Sequence, residues 1–154
     1  MKTVIVLAAA LAATGALAQS PADAMKGKMK PGLYNYKMEM DMGQVPGMPP
    51  GMGKQTMNMQ HCVTPKDIEQ GQVGKGREGK GPSNCEMQDF KMSGNTATYR
   101  MVCKGEGAMT ADNRITFVSD GFDMTMKMAM DRGGQKMNMT QNMQGRYVGP
   151  CPAK

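Results

Sequence analysis

The residues best suited to chemistry in this sequence are three soft metal donors spaced two apart, Met57, Met59 and His61. A period of two places alternate side chains on one face of a β-strand, so the three donors would share a face. Thioethers suit soft monovalent ions such as Cu(I) and Ag(I), and imidazole can complete the set. The spacing therefore predicts a candidate Cu(I) or Ag(I) site and no other cofactor. The interpretation that we favour is core filling, because flexible methionines adapt to irregular gaps, and the metal site is the alternative.

The sequence offers little for catalysis. His61 is the only histidine, and its neighbour Cys62 is expected to be in a disulfide and so not a nucleophile. The chain has no Gly-x-Ser-x-Gly elbow, no phosphate-binding loop before a helix and no pair of carboxylates that stands out on one face. We therefore expect a protein that is not an enzyme.

The cysteines predict two disulfides, since an even number behind a secretory leader is typical of an oxidising compartment. They are Cys62, Cys85, Cys103 and Cys151. A two-residue turn at Gly94-Asn95 would place Glu86, and not Cys85, opposite Cys103. A Cys85–Cys103 bond would then need a bulge or a longer turn. Three connectivities are open, and the predicted register favours Cys62–Cys85 with Cys103–Cys151.

Residues 1–18 have the pattern of a secretory signal peptide. An apolar run over residues 4–17, too short to span a bilayer, ends in the small-x-small motif Ala16-Leu17-Ala18. We expect cleavage after Ala18 and an exported, periplasmic protein that does not span the membrane. Behind a signal peptide, the formal net charge of +6 does not indicate nucleic acid. The expected partners are an envelope component or an apolar ligand.

Alternation of apolar and polar residues predicts a β structure for the rest of the chain. The clearest stretch is 122–130, where Phe122 and four methionines occupy every second position. With 21 Met and no Trp, methionine must supply much of the core. We predict an all-β antiparallel meander of about seven strands, with a turn at Asp112-Asn113 and one short helix after Thr64-Pro65. The sheet should curl into a barrel-like or sandwich form to bury its methionine face.

The predicted organisation has three parts. Residues 1–18 are the signal peptide, residues 19–30 a flexible, lysine-bearing lead-in, and residues 31–154 a single methionine-rich β domain. Glycine- and proline-rich stretches at 43–53 and 71–84 are expected to be exposed loops.

Several short motifs, in their order and spacing, resemble an exported bacterial family known only as domain of unknown function 3617. They are Lys30-Pro31-Gly32-Leu33, the segment 47–52, Cys62-Val-Thr-Pro-Lys-Asp67, Asn84-Cys85, Gly94-Asn95, Met101-Val-Cys103, the segment 124–128, and the closing stretch 145–151. Together they cover nearly the whole mature chain, with Tyr34 standing where the family leads us to expect a tryptophan.

The resemblance implies no activity and supplies no catalytic residues. We therefore expect an exported, periplasmic and non-enzymatic binding or structural module with a methionine-lined core. The alternatives are a periplasmic Cu(I)/Ag(I)-binding protein with thioether and histidine ligands, and a carrier for an apolar ligand.

Overall fold

The computed structural model describes residues 21–43, 53–71, 84–105, 108–132 and 134–153. The predicted signal peptide, and most of the two predicted loops (44–52 and 72–83), lie outside the described residues. The elements are α1 Pro21–Met25, β1 Gly32–Asp41, β2 Lys54–Val63, α2 Pro65–Glu69, β3 Cys85–Ser93, β4 Thr96–Cys103, β5 Met109–Val118, β6 Gly121–Arg132 and β7 Gln135–Gly149.

The strands form one seven-stranded antiparallel sheet in the order β2-β1-β7-β6-β5-β4-β3. Strands β3 to β7 are the predicted meander, and the β1–β2 hairpin joins it because β1 also pairs with β7. The predicted all-β antiparallel fold is confirmed. The sheet is not closed, so β2 and β3 are its two edges.

One face of the sheet, which we call the methionine face, carries the apolar residues of every alternating strand. Strands β5, β6 and β7 pair without register shifts, so residues on the same face stay opposite one another. Phe122 on β6, for example, lies opposite Phe117 on β5 and opposite Gly145 on β7. Because side chains alternate along each strand, the methionines that follow Phe122 at every second position occupy the same face. Charged side chains of the strands, such as Lys37, Arg100 and Lys127, lie on the other face.

Among the described residues, helices cover one half of the methionine face. This covered half contains buried aromatic and aliphatic residues that form one core cluster with side chains from α1 and α2. Its buried strand residues include Tyr34, Tyr36, Ile115, Phe117, Phe122 and Met143. Close packing at its centre requires a glycine, since a Cβ on Gly145 would lie 2.5 Å from Cε1 of Phe122.

Helix α1 was not predicted. The sequence indicated a flexible lead-in over residues 19–30; within it, residues Pro21–Met25 form α1. Ala24, Met25 and Met29 are buried in the core cluster, and the Lys28 ammonium donates to the side chain of Asn95 across the sheet. The three lysines of this segment obscured an apolar set whose burial depends on tertiary contacts.

Helix α2 begins where the sequence predicted a helix. Thr64 is its N-cap: the Thr64 hydroxyl accepts from the Asp67 amide at 3.2 Å, and the Thr64 amide donates to Asp67 Oδ2 at 2.8 Å. This reciprocal capping box satisfies amides that a helix start leaves unpaired. The helix in turn places Ile68 in the core.

The predicted disulfide connectivity was wrong. The bonds are Cys62–Cys151 and Cys85–Cys103. In the β3–β4 hairpin, Met92 pairs with Ala97 as the Gly94-Asn95 turn requires, but the register then shifts between Gln88 and Lys91. This bulge, at which Asp89 has φ 54°, brings Cys85 directly opposite Cys103.

The bulge also changes which residues share a face. Without it, strict alternation would put Met87 and Cys85 on the face opposite to Met92. With it, Met87 lies opposite Met101 and joins the methionine face. The predicted turn at Asp112-Asn113 is likewise absent, because β5 runs unbroken and buries Asn113 on the methionine face.

Candidate functional site

The half of the methionine face that lies away from the helices is the most distinctive surface of the described chain. We call it the open methionine surface and define it by six residues. They are Met101, Met109, Met128, Met130, Met137 and Met139. Cross-strand pairing brings them together: Met128 lies opposite Met139, and Met130 lies opposite both Met137 and Met109.

All six side chains are partly exposed, and none belongs to the core cluster. Met87 stands at the rim with 43% exposure. In contrast, Met143 on the same face of β7 is 5% exposed and packed in the core. The two environments occur on the same pair of strands, so the position along the strand decides whether a methionine is core or surface.

The predicted metal donors lie elsewhere, on edge strand β2. Met57 and Met59 are 40% and 41% exposed, and alternation places both on the same face as His61. Met57 pairs with Met38, and Met59 pairs with Tyr36. The structure thus brings the three donors to one face of one strand, and metal binding there stays a prediction. In the described ranges, no group of three or more His, Cys, Asp or Glu side chains is arranged to hold a metal ion.

His61 has an aromatic and an acidic neighbour, Tyr36 and Asp67. Its ring centroid is 6.2 Å from that of Tyr36, whose pKa is raised mainly by burial. The pKa of Asp67 is lowered chiefly by the hydrogen bonds from Thr64, with a smaller contribution from His61. The Asp67 carboxylate therefore serves the helix cap and is a poor candidate for a general base.

Two buried polar atoms lack a hydrogen-bond partner among the described residues, the Tyr36 hydroxyl and the Asn113 Oδ1. The Asn113 amide donates to the Ala111 carbonyl at 3.1 Å, and Asn113 lies opposite Met126 at the boundary between the covered half and the open methionine surface. The sequence reading missed Asn113, because Asp-Asn pairs are typical of turns.

The polar face is built from paired charges. Arg146 Nη2 lies 2.6 Å from Asp123 Oδ1, and Arg100 Nε lies 2.7 Å from Asp112 Oδ1. The Arg100 hydrogen bond lowers the pKa of the Asp112 carboxyl. Shallow hollows of about 540 and 560 Å³ on this face are lined by charged and amide side chains such as Lys37, Gln144, Arg114 and Lys127.

The sequence contains a signal that the methionines of β6 and β7 lie opposite each other. A short turn between β6 and β7 fixes the register so that methionines on the two strands face each other in pairs. Alternation alone assigned all of them to a core. It identifies the face but does not say which part of that face another element covers.

Fold and surface together define a class: an open, disulfide-bonded single-sheet domain with a methionine-lined face half covered by short helices.

Residues 29–151 match the model of the family described as protein of unknown function DUF3617, and the chain belongs to this family. The comparison confirms the family that the sequence motifs suggested. No curated protein and no solved structure matches the chain. Neither helix of the described ranges, each five residues long, has the length or apolarity to cross a membrane.

Proposed function

We propose that this protein is an exported, non-catalytic binding module and that it binds through the open methionine surface. The observation that carries the proposal is the contrast within one sheet face: the covered half is buried, whereas six methionines of the other half remain partly exposed. Contiguous exposed apolar patches often mark interaction sites in soluble proteins. Flexible thioethers suit such a surface because they adapt to what they contact.

Surface binding is favoured over an enclosed carrier pocket. The cavity lined by Met25, Met29, Ile115, Phe117, Phe122 and Met124 holds only about 10 Å³. That is close to the minimum for a single water, and ligand pockets are typically about 300–1,000 Å³. An apolar ligand, or an apolar segment of an envelope partner, would therefore lie on the surface of the sheet and not in this cavity; the open methionine surface offers it six partly exposed thioethers.

Export to the periplasm is supported by the leader-like residues 1–18 and by the two disulfides, which persist in oxidising compartments. The same disulfides engage all four cysteines, so no thiol is left as a nucleophile. The proposal predicts a processed protein that begins at Gln19 in the periplasmic fraction, which intact-mass spectrometry of the expressed full chain would detect. Retention of an unprocessed chain in the cytoplasm would contradict it.

Binding at the open methionine surface is tested with the fluorescent probe anilinonaphthalene sulfonate. We expect the native protein to enhance its fluorescence, and M128Q/M139Q to reduce the enhancement several-fold, because Gln keeps the length of Met but not its apolarity. The matched control is M57Q/M59Q, which makes the same change at exposed methionines of β2. An unchanged signal in M128Q/M139Q, or a larger loss in the control, would contradict the proposed surface.

A second candidate function is Cu(I) or Ag(I) binding by Met57, Met59 and His61. It is favoured by the exposure of Met57 and Met59, since buried thioethers would be inaccessible. Neighbouring donors on one face of a strand are about 6.6 Å apart at Cα, however, which makes one shared ion harder to reach.

A further inference from the structure

The open methionine surface places thioethers closer together than any single strand could. Met128 opposes Met139 and Met130 opposes Met137 across the β6–β7 hairpin. Residues directly opposite in an antiparallel pair have Cβ atoms about 4.5–5.5 Å apart, and diagonal neighbours remain within reach of long side chains. Methionine has three rotatable side-chain bonds, so sulfurs from both strands can turn toward one point.

A fifth thioether comes from the neighbouring strand. Met109 on β5 lies opposite Met130 and is also partly exposed. Beside it, Ala111 lies opposite Met128 and is buried among the surrounding side chains. The disulfide partner Cys103, paired with Met109, has no thiolate to contribute.

The donors select the class of ligand. Thioethers are soft and uncharged, which suits Cu(I) and Ag(I) and disfavours Ca²⁺, Mg²⁺ or Zn²⁺ in the absence of carboxylate or imidazole. In the described ranges no cluster of three or more His, Cys, Asp or Glu supplies the donors that those cations prefer. Thioethers also do not titrate, so protons do not compete for them between pH 5 and 8.

We propose that Met128, Met130, Met137 and Met139, with Met109 beside them, form a binding site for a soft monovalent cation, Cu(I) or Ag(I). This inference rests on the proposed function, because both require the open methionine surface to be accessible to solvent. It differs from the β2 set in two ways: its donors come from facing strands, and it contains no histidine. Its affinity is therefore expected to be insensitive to pH, because none of its thioether donors titrates.

The test is a titration of the disulfide-bonded full chain with Ag(I) in chloride-free buffer, at pH 7.5 and pH 5.5. M128L/M139L removes two thioethers but keeps apolar side chains, and M57L/M59L/H61Q is the matched variant on β2. We expect M128L/M139L to weaken Ag(I) binding about tenfold or more, since even supporting residues of metal sites are worth about 10–100-fold. The β2 variant should stay close to the wild type, and the wild-type affinity should be equal at both pH values.

A measurement on the unchanged protein guards against misfolded variants. With ¹³C-labelled methionine methyl groups, we expect Ag(I) to shift the resonances of Met128, Met130, Met137 and Met139 together at one equivalent. Shifts confined to Met57 and Met59, unchanged affinity in M128L/M139L, or binding that falls at pH 5.5 would each overturn the site.

Failure of this inference is distinguishable from failure of the proposed function. M128L/M139L keeps an apolar surface, so it should still enhance the fluorescence of anilinonaphthalene sulfonate, whereas M128Q/M139Q should not. If the dye responds in this way but Ag(I) affinity is the same in both variants and the wild type, the surface binds apolar groups and the metal site is wrong. If Ag(I) binding is lost in both variants but the dye never bound, the metal site stands without the apolar docking surface.

Discussion

The covered half and the open methionine surface are made by the same strands, yet they differ in what lies over them. In the covered half, Phe122 and Met143 are packed beneath side chains of α1 and α2. A few residues further along the same strands, Met128 and Met139 are partly exposed. Alternation along each strand determines which side chains lie on the methionine face. The two five-residue helices then determine which of those side chains are buried in the core.

Each half also has its own disulfide nearby. Cys62–Cys151 joins β2 to the end of the chain beside the covered half, with a sequence separation of 89. Cys85–Cys103 joins the edge hairpin beside the open methionine surface, with a separation of 18. These differences give three ways to test how independent the two halves are.

The largest expected effect is the loss of Cys62–Cys151. The chain-entropy relation gives about 4.5 kcal/mol for a loop of this length and about 3 kcal/mol for the shorter loop of Cys85–Cys103. We therefore expect C62S/C151S to lower the free energy of unfolding more than C85S/C103S, as measured by urea denaturation. The reverse order would mean that the open end contributes more to stability than the comparison suggests.

Truncation of one side chain in each half should show how differently the two halves are packed. Phe122→Ala removes a ring that is 3% exposed and should cost about 3–5 kcal/mol. Met128→Ala, on the same strand and face, should cost about 1 kcal/mol, because only part of its surface is buried. Urea denaturation of both variants measures the difference, and equal losses would show that an element covers Met128 as closely as Phe122.

The smallest expected effect concerns the helix cap. The pKa of Asp67 is lowered in the folded protein, so its contribution is present above the unfolded value of about 3.9 and is lost as pH falls below it. Asp67→Asn should lower the free energy of unfolding by about 0.5–1 kcal/mol at pH 7.

Comparison with the wild type at pH 3 completes this test. We expect the stability difference between the wild type and D67N to shrink between pH 7 and pH 3, since the carboxyl of the unfolded chain takes up its proton before that of the folded protein. The control is E69Q, an exposed acid on α2 outside the capping box, which should change little at either pH. A difference that is equally large at pH 7 and pH 3 would assign the effect to packing and not to charge.

Much of the fold was predictable because its cause is local. Alternation at Phe122–Met130 and the capping residues Thr64 and Asp67 act within a few positions, so strand β6 and helix α2 were found. Helix α1 was not, because the burial of its residues depends on the distant strands that it covers. The bulge near Asp89 is equally invisible to a period-two pattern, and it alone reversed the expected disulfide connectivity.

The sequence predicted the donor type of the candidate site, the methionine thioether, but not its position in the sheet. The sequence pointed to thioethers because methionine is abundant, and to β2 because His61 is a recognisable anchor. Exposure was not deducible, since Met128 and Met143 have the same residue type and the same alternation. Only the extent of helix cover distinguishes them.

The bulge in β3 has a consequence for the solubility of an open sheet. An edge strand exposes unpaired backbone groups that invite another chain, and bulges and charges prevent this pairing. Strand β3 carries both, with its kink at Asp89 and exposed Glu86 and Lys91 nearby. Strand β2 has no charged residue or proline from Gln55 to Val63 and pairs without a register shift. Among the described residues, the β3 edge therefore carries protection against edge-to-edge pairing that the sequence of β2 lacks.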